Sequence, residues 1–213
     1  MQTILFDLDG TLVDSVADLA AAANFVRRDM GRPPLPDDVV ASFIGDGAKK
    51  LIERAFSDVP GLDVLAVLKR FRAHYYEHCT ERTTVYPGVM DALEALMPRP
   101  MAIVSNKPED MCVRIATHYG LDRFLPVVVG QVRGEAVKPD SAMLLRALRG
   151  LDVEQSADVW MVGDSHNDVL SGRAVGATTV GVGWGIGDAR RRHEAKPDHE
   201  IARVPELVAL LGG

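Results

Sequence analysis

Cysteine is scarce, aromatic residues are few, and no basic excess is present. The two cysteines, Cys79 and Cys112, form no CxxC pair and sit among apolar or helical residues. A disulfide-framed fold and a thiolate metal site are therefore excluded, and two reduced thiols in or near a core are expected. Lys and Arg number 24 against 30 Asp and Glu, a formal charge of -6. The acids are spread along the chain, so neither nucleic acid nor a membrane surface is an expected partner. No apolar run approaches the roughly 20 residues that span a bilayer. The start, Met1-Gln2-Thr3-Ile4-Leu5-Phe6, lacks the cationic opening of a secretory signal, and the default setting is cytoplasmic.

What is present is enough apolar sequence, 47% of 213 residues, to bury a real core. Short apolar runs suited to buried parallel strands occur at 4–6, 101–104, 126–129, 159–162 and 178–182. Helical patterns lie between them: Pro108 opens one and Gly120 closes it, and Ser141 to Leu148 carries another. Strand and helix alternate, which predicts an α/β fold with a doubly wound parallel sheet. The stretch from about Ser15 to Thr84 departs from this. Val16, Leu19, Ala20, Ala23 and Val26 share one helical face, a second helix is expected over 48–56, and Leu65, Leu68, Phe71 and Tyr75 mark a third. The expected division is a sheet domain of residues 1–14 and 85–213 and an inserted all-helical domain of residues 15–84.

Three segments carry chemistry. The first strand runs into Asp7-Leu8-Asp9-Gly10-Thr11, two carboxylates two residues apart with a glycine behind them. The second ends in Ser105-Asn106-Lys107-Pro108, which places a hydroxyl at the expected entry of a helix. The fourth ends in Gly163-Asp164-Ser165-His166-Asn167-Asp168, with two more acids. Each alone is no more than a turn or a helix cap. Open α/β sheets bind ligands beyond the carboxyl ends of their strands, so the three are expected to meet in one crevice. Two carboxylates about 5 Å apart repel by about 3 kcal/mol at an effective dielectric near 20, so a cation must join them. Oxygen donors without a Cys or His cluster favour magnesium over zinc.

These segments resemble the four motifs of the haloacid dehalogenase superfamily. Asp7-Leu8-Asp9-Gly10-Thr11 is similar to the first, Ser105 to the second, Lys138 in Val137-Lys138-Pro139-Asp140 to the third, and Gly163-Asp164 through Asp168 to the fourth. The helical stretch resembles that superfamily's α-helical cap. The resemblance implies a Rossmann-like core and hydrolysis of a small phosphate ester through a phospho-aspartyl intermediate. Asp7 would be the nucleophile and Asp9 the acid and base; Ser105 and Lys138 would hold phosphoryl oxygens. Magnesium would be bound by Asp7, the Asp9 carbonyl and Asp164, with Asp168 close behind. Gly10, Thr11 and Asn106 would line the phosphate site. His166 is expected to be a loop residue, and Arg190-Arg191-Arg192 a solvated helix face.

Within the superfamily the pattern looks most like phosphoglycolate phosphatases, through Ile44-Gly45-Asp46-Gly47-Ala48, Arg54, Tyr86-Pro87-Gly88 and Gly183-Trp184-Gly185. Gly45, Gly47 and Arg54 would then meet the substrate's carboxylate. Asp46 is a negative charge in that loop, and Lys49, Lys50 or Arg54 would have to offset it. The alternatives are a phosphatase of other specificity (nucleotide, pyrophosphate or sugar phosphate), a β-phosphoglucomutase-like phosphomutase, a metal-free 2-haloacid dehalogenase, and an inactive binding scaffold. The assembly is expected to be a monomer or a homodimer.

Overall fold

The computed structural model describes residues 2–153 and 158–211. The chain opens with β1 (Thr3–Phe6) and β2 (Val13–Asp14), then runs through α1 (Val16–Asp29), α2 (Asp37–Ala41), α3 (Ala48–Ala55) and α4 (Val64–His78). It returns by β3 (Thr84–Val85) and continues as α5 (Val89–Leu96), β4 (Met101–Pro108), α6 (Glu109–His118), β5 (Val127–Gln131) and α7 (Ala142–Gly150). The last elements are β6 (Val159–Gly163), α8 (His166–Ala174), β7 (Thr178–Val182), α9 (Ala189–Glu194), β8 (His199–Ile201) and α10 (Val204–Leu211).

Six strands form one sheet in the order β5-β4-β1-β6-β7-β8, and every neighbouring pair is parallel. Side chains alternate between its faces as a pleated strand requires. Ile4, Phe6, Met101 and Ile103 join one apolar cluster with α5, α6 and α10. Leu5, Ala102 and Val104 join the other with Met143, Leu144 and Leu148 of α7. The doubly wound parallel sheet predicted above is therefore present, with β1 at the centre where the strand order reverses. Both cysteines are buried and free. No helix among the described residues is long and apolar enough to cross a membrane.

Several local expectations change. β4 continues through Ser105-Asn106-Lys107 to Pro108, and α6 starts only at Glu109. Ser105 is thus a strand residue and not a helix entry, because the residue before a proline is held extended. Leu65 is 70% exposed: the buried stripe of α4 is Val67, Leu68, Phe71 and Tyr75, and at 100° per residue Leu65 lies more than a quarter-turn away. β8 and the two-residue strands β2 and β3 escaped periodicity because they are too short to show any.

β2 and β3 pair antiparallel, Val13 opposite Val85 and Asp14 opposite Thr84, so the chain leaves for the helices and comes back at one place. Asp18, on the first turn of α1 and 2% exposed, fastens that junction. Its carboxylate accepts from Arg82 N at 3.0 Å, Thr83 N at 2.8 Å and Thr83 Oγ1 at 2.8 Å. Asp18→Ala leaves the two Thr83 donors buried and is expected to cost about 3 kcal/mol. Asp29→Ala, which breaks only an exposed pair with Arg70, is expected to cost less than about 1 kcal/mol. Urea titration of both variants decides this, and equal midpoints would show that the clamp contributes nothing.

Candidate active site

The ends of β1, β4 and β6 and the loops behind them enclose a cavity of about 60 Å³. Asp7, Asp9, Ser105, Lys107, Lys138 and Asp164 line one side, and Ile44, Gly45, Gly47, Phe71 and Tyr75 from the helical segment line the other. The turn after β1 is wound tightly, Leu8 O accepting from the amides of Leu12 and Val13 at 3.0 Å. Gly10 has φ +82°, and a Cβ there would fall 2.0 Å from Asp164 Oδ2. At Gly163 a Cβ would fall 2.2 Å from Asp168 Cγ. Both positions must be glycine for the acids to come so close.

Asp7, Asp164 and Asp168 each bring one oxygen to within 4.8 Å of the others, and all three are buried. Lys138 Nζ lies 2.6 Å from Asp168 Oδ1, 2.6 Å from Val104 O and 3.0 Å from Asp7 Oδ1. One ammonium among three carboxylates leaves the group short of positive charge. Burial pushes the Asp7 carboxyl up to about 6, with Asp168 and Asp9 adding and Lys138 opposing. Burial likewise pushes Asp164 up to about 8, helped by Asp7 and Asp168 and opposed by the amides of Gly187 and Ile186. Asp7 Oδ1 is buried without a hydrogen-bond partner; Lys138 is close to it but off the bonding angle. An orphaned carboxylate oxygen in an all-oxygen donor set fits a hard divalent ion.

The supports of this trio are specific. Ile186 N and Gly187 N each donate to Asp164 Oδ2 at 2.8 Å, so Oδ1 is the oxygen Asp164 has to offer. Ser165 donates to Asp168 Oδ2 through its amide at 3.0 Å and its hydroxyl at 2.6 Å. Asn106 grips the Lys138 backbone, accepting from Lys138 N at 2.8 Å and donating to Lys138 O at 2.9 Å. The Ser105 hydroxyl is buried at the cavity wall and has no acceptor of its own among the described residues.

Asp9 stands apart from the trio. Its Oδ1 accepts from Ser15 Oγ at 2.6 Å and from Lys107 Nζ at 2.7 Å, and its Oδ2 from Lys107 Nζ at 2.9 Å. Lys107 also donates to Tyr75 Oη at 2.7 Å. Neither Lys107 nor Tyr75 is an expected site residue: the sequence places Tyr75 on the apolar face of a helix, and Lys107 only in the segment after Ser105. Lys107 was findable, because in an extended strand residues 105 and 107 point the same way; placing Ser105 at a helix entry concealed that.

Gly45, Gly47 and Asn106 line the cavity, whereas Gly10, Thr11 and Arg54 do not. The Gly10 amide is used inside its own turn, donating to Val13 O at 2.8 Å, and Thr11 is buried behind it. Arg54 donates to Asp46 Oδ2 at 2.5 Å and to Phe43 O at 3.1 Å, so of the three candidate cations it is the one that offsets Asp46. Lys49 and Lys50 turn instead to Glu53. His166 is the first residue of α8, not a loop residue, with Nε2 2.7 Å from Arg191 Nη2. Of the arginine run only Arg190 and Arg191 face solvent. Arg192 is buried and donates to Asp164 O at 3.1 Å, because helical spacing turns it inward.

Known proteins resemble this chain along nearly its whole length. The profile of haloacid dehalogenase-like hydrolases matches residues 4–182. A phosphoglycolate phosphatase of Chromobacterium violaceum is 39% identical over 98% of this chain and 96% of its own. One from Neisseria gonorrhoeae is 33% identical over 99% and 93%. The crystal structure of a predicted phosphoglycolate phosphatase from Haemophilus somnus superposes with a TM-score of 0.90 at 27% identity, covering 99% of this chain and 97% of that one.

The raised carboxyls give a signed pH dependence. Asp7 and Asp164 hold their protons to about 6 and about 8 when folded, against 3.8 when free. The folded state therefore binds more protons than the unfolded one across that window, and stability falls as pH rises through it. Without a divalent ion the thermal midpoint is expected to drop from about pH 5 to about pH 8, and magnesium to raise it more at the upper end. Asp164→Asn should flatten the slope. A metal-free midpoint that climbs between those values would contradict the charge crowding.

Proposed function

The chain belongs to the haloacid dehalogenase-like hydrolase family, and from that premise we propose that it is a magnesium-dependent phosphomonoesterase working through a phospho-aspartyl intermediate on Asp7. The observation that carries the reading is the pairing of two differently held acids in one cavity. Asp7 lies beside the Lys138 ammonium and the other two carboxylates, and Asp9 is held apart from them by Ser15 and Lys107.

In the first step an Asp7 oxygen attacks phosphorus in line and the phosphorus–ester oxygen bond breaks, the leaving oxygen taking a proton from Asp9. In the second, Asp9 removes a proton from water, which attacks phosphorus and releases inorganic phosphate and free Asp7. Lys138 and the Ser105 hydroxyl hold the phosphoryl oxygens as charge shifts between attacking and leaving atoms. Asn106 and Asp168 keep Lys138 in place. Magnesium, held by Asp7, Asp164 and the Asp9 carbonyl with Asp168 close behind, would supply positive charge to the transferring group. The helices of residues 15–84 act as a cap that closes over the bound ester and shuts out bulk solvent, and the proposed setting is the cytoplasm, with the enzyme as a monomer or homodimer.

The substrate proposed is phosphoglycolate. Both curated relatives above carry that activity in their names, and the cavity is small. The N-terminus of α3 opens at its wall through Gly47 and Ala48, where main-chain amides suit a carboxylate. The Asp46 charge is neutralised by Arg54.

A panel of phosphoglycolate, sugar phosphates, nucleotides and pyrophosphate, ranked by kcat/KM in magnesium, tests the assignment. Phosphoglycolate is expected to lead; a wide lead by another ester would end it. Asp7→Asn is expected to abolish phosphate release, and Asp9→Asn to lower kcat by about 10²- to 10⁴-fold. Chelation of magnesium should silence the wild type reversibly.

A further inference from the structure

We propose that Lys107, while it stays paired with Asp9, is the receptor for a carboxylate on the substrate. The inference rests on the phosphatase reading above and names what decides its substrate.

The cavity wall contains two cationic side chains among the described residues, Lys107 and Lys138. Lys138 belongs to the phosphoryl end, bonded to Val104 O and Asp168 and 3.0 Å from Asp7 Oδ1. Arg54 is outside the wall and tied to Asp46. A second negative group on the substrate therefore has one side-chain cation left to meet.

Lys107 is placed for that encounter. It is 7% exposed, and burial lowers while Asp9 and Tyr75 raise its proton affinity, with a net rise, so it stays charged. Its Nζ lies 2.7 and 2.9 Å from the two Asp9 oxygens. Asp9 must reach the ester oxygen by one hydrogen bond of about 2.8 Å, so the lysine stands two such bonds from that oxygen. A carboxylate one carbon beyond the ester oxygen falls within that reach.

The two Asp9 oxygens belong to one carboxylate and lie in one direction from Nζ, and Tyr75 Oη at 2.7 Å takes a second direction; an ammonium has three donors, so one is left for the substrate. A substrate carboxylate can take that donor while Asp9 keeps its own. Ser15 Oγ, 2.6 Å from Asp9 Oδ1, keeps that acid in position beside the lysine. Tyr75, on α4 of the helical segment, holds the lysine from the far side, so recognition depends on that segment as well.

The experiment compares phosphoglycolate with ethyl phosphate, which replaces the carboxylate by a methyl group, using the full chain in magnesium. Wild type is expected to prefer phosphoglycolate, and Lys107→Met to lower that preference by about 10- to 100-fold through the phosphoglycolate KM. Lys107→Arg, which keeps a cation, should recover part of it. Tyr75→Phe should raise the phosphoglycolate KM more than that for ethyl phosphate, and these two variants carry the test should Lys107→Met not fold. A Lys107→Met enzyme that retains the full preference overturns the inference alone and leaves recognition to the main-chain amides of α3. A wild type inert toward both esters removes the phosphatase reading, and this inference with it.

Discussion

Three buried carboxylates held within 4.8 Å of one another are the constraint around which this molecule is organised. Such crowding repels by several kcal/mol even at a generous dielectric. Much of the surrounding sequence answers it: an ammonium at Lys138, two amides on Asp164 and a serine on Asp168. Glycines at 10 and 163 give the acids room to approach. The apolar sheet beneath is what makes the arrangement rigid, since β1 and β6 are buried between two apolar clusters and cannot splay to relieve the charge.

The two acids of the first motif are two residues apart yet live in different electrostatic surroundings. Asp7 faces other carboxylates, and Asp9 faces a lysine and a serine. The turn that follows β1 separates them, because residues i and i+2, which share a face in an extended strand, no longer do so once the chain winds up behind Phe6. A single strand thus delivers two carboxyl groups with opposite partners, the condition under which one can attack while the other handles protons.

Much of this was legible in the sequence. The five long strands were visible as apolar runs because buried parallel strands carry little else, and Asp7, Asp9, Ser105, Lys138 and Asp164 all line one cavity. What the sequence concealed had physical reasons. Ser105 looked like a helix cap because Pro108 follows closely, although the proline in fact extends β4. Arg192 looked like one of three solvated arginines, although helix rotation buries it against Asp164. Arg54 looked like a ligand for an anion, although its nearest anion is Asp46. Each of these depends on which way a side chain turns, and a linear spacing does not fix that for isolated charges.

The β2–β3 ladder has a consequence for how such a chain can change. The helical segment departs and re-enters through adjacent antiparallel residues, Val13 beside Val85 and Asp14 beside Thr84. Its two ends form a single doorway, and whatever hangs from it leaves the register of the six-stranded sheet untouched. A lineage can therefore trade one appendage for another of different length or composition at that doorway. It keeps an inherited reaction centre while revising what is admitted to it.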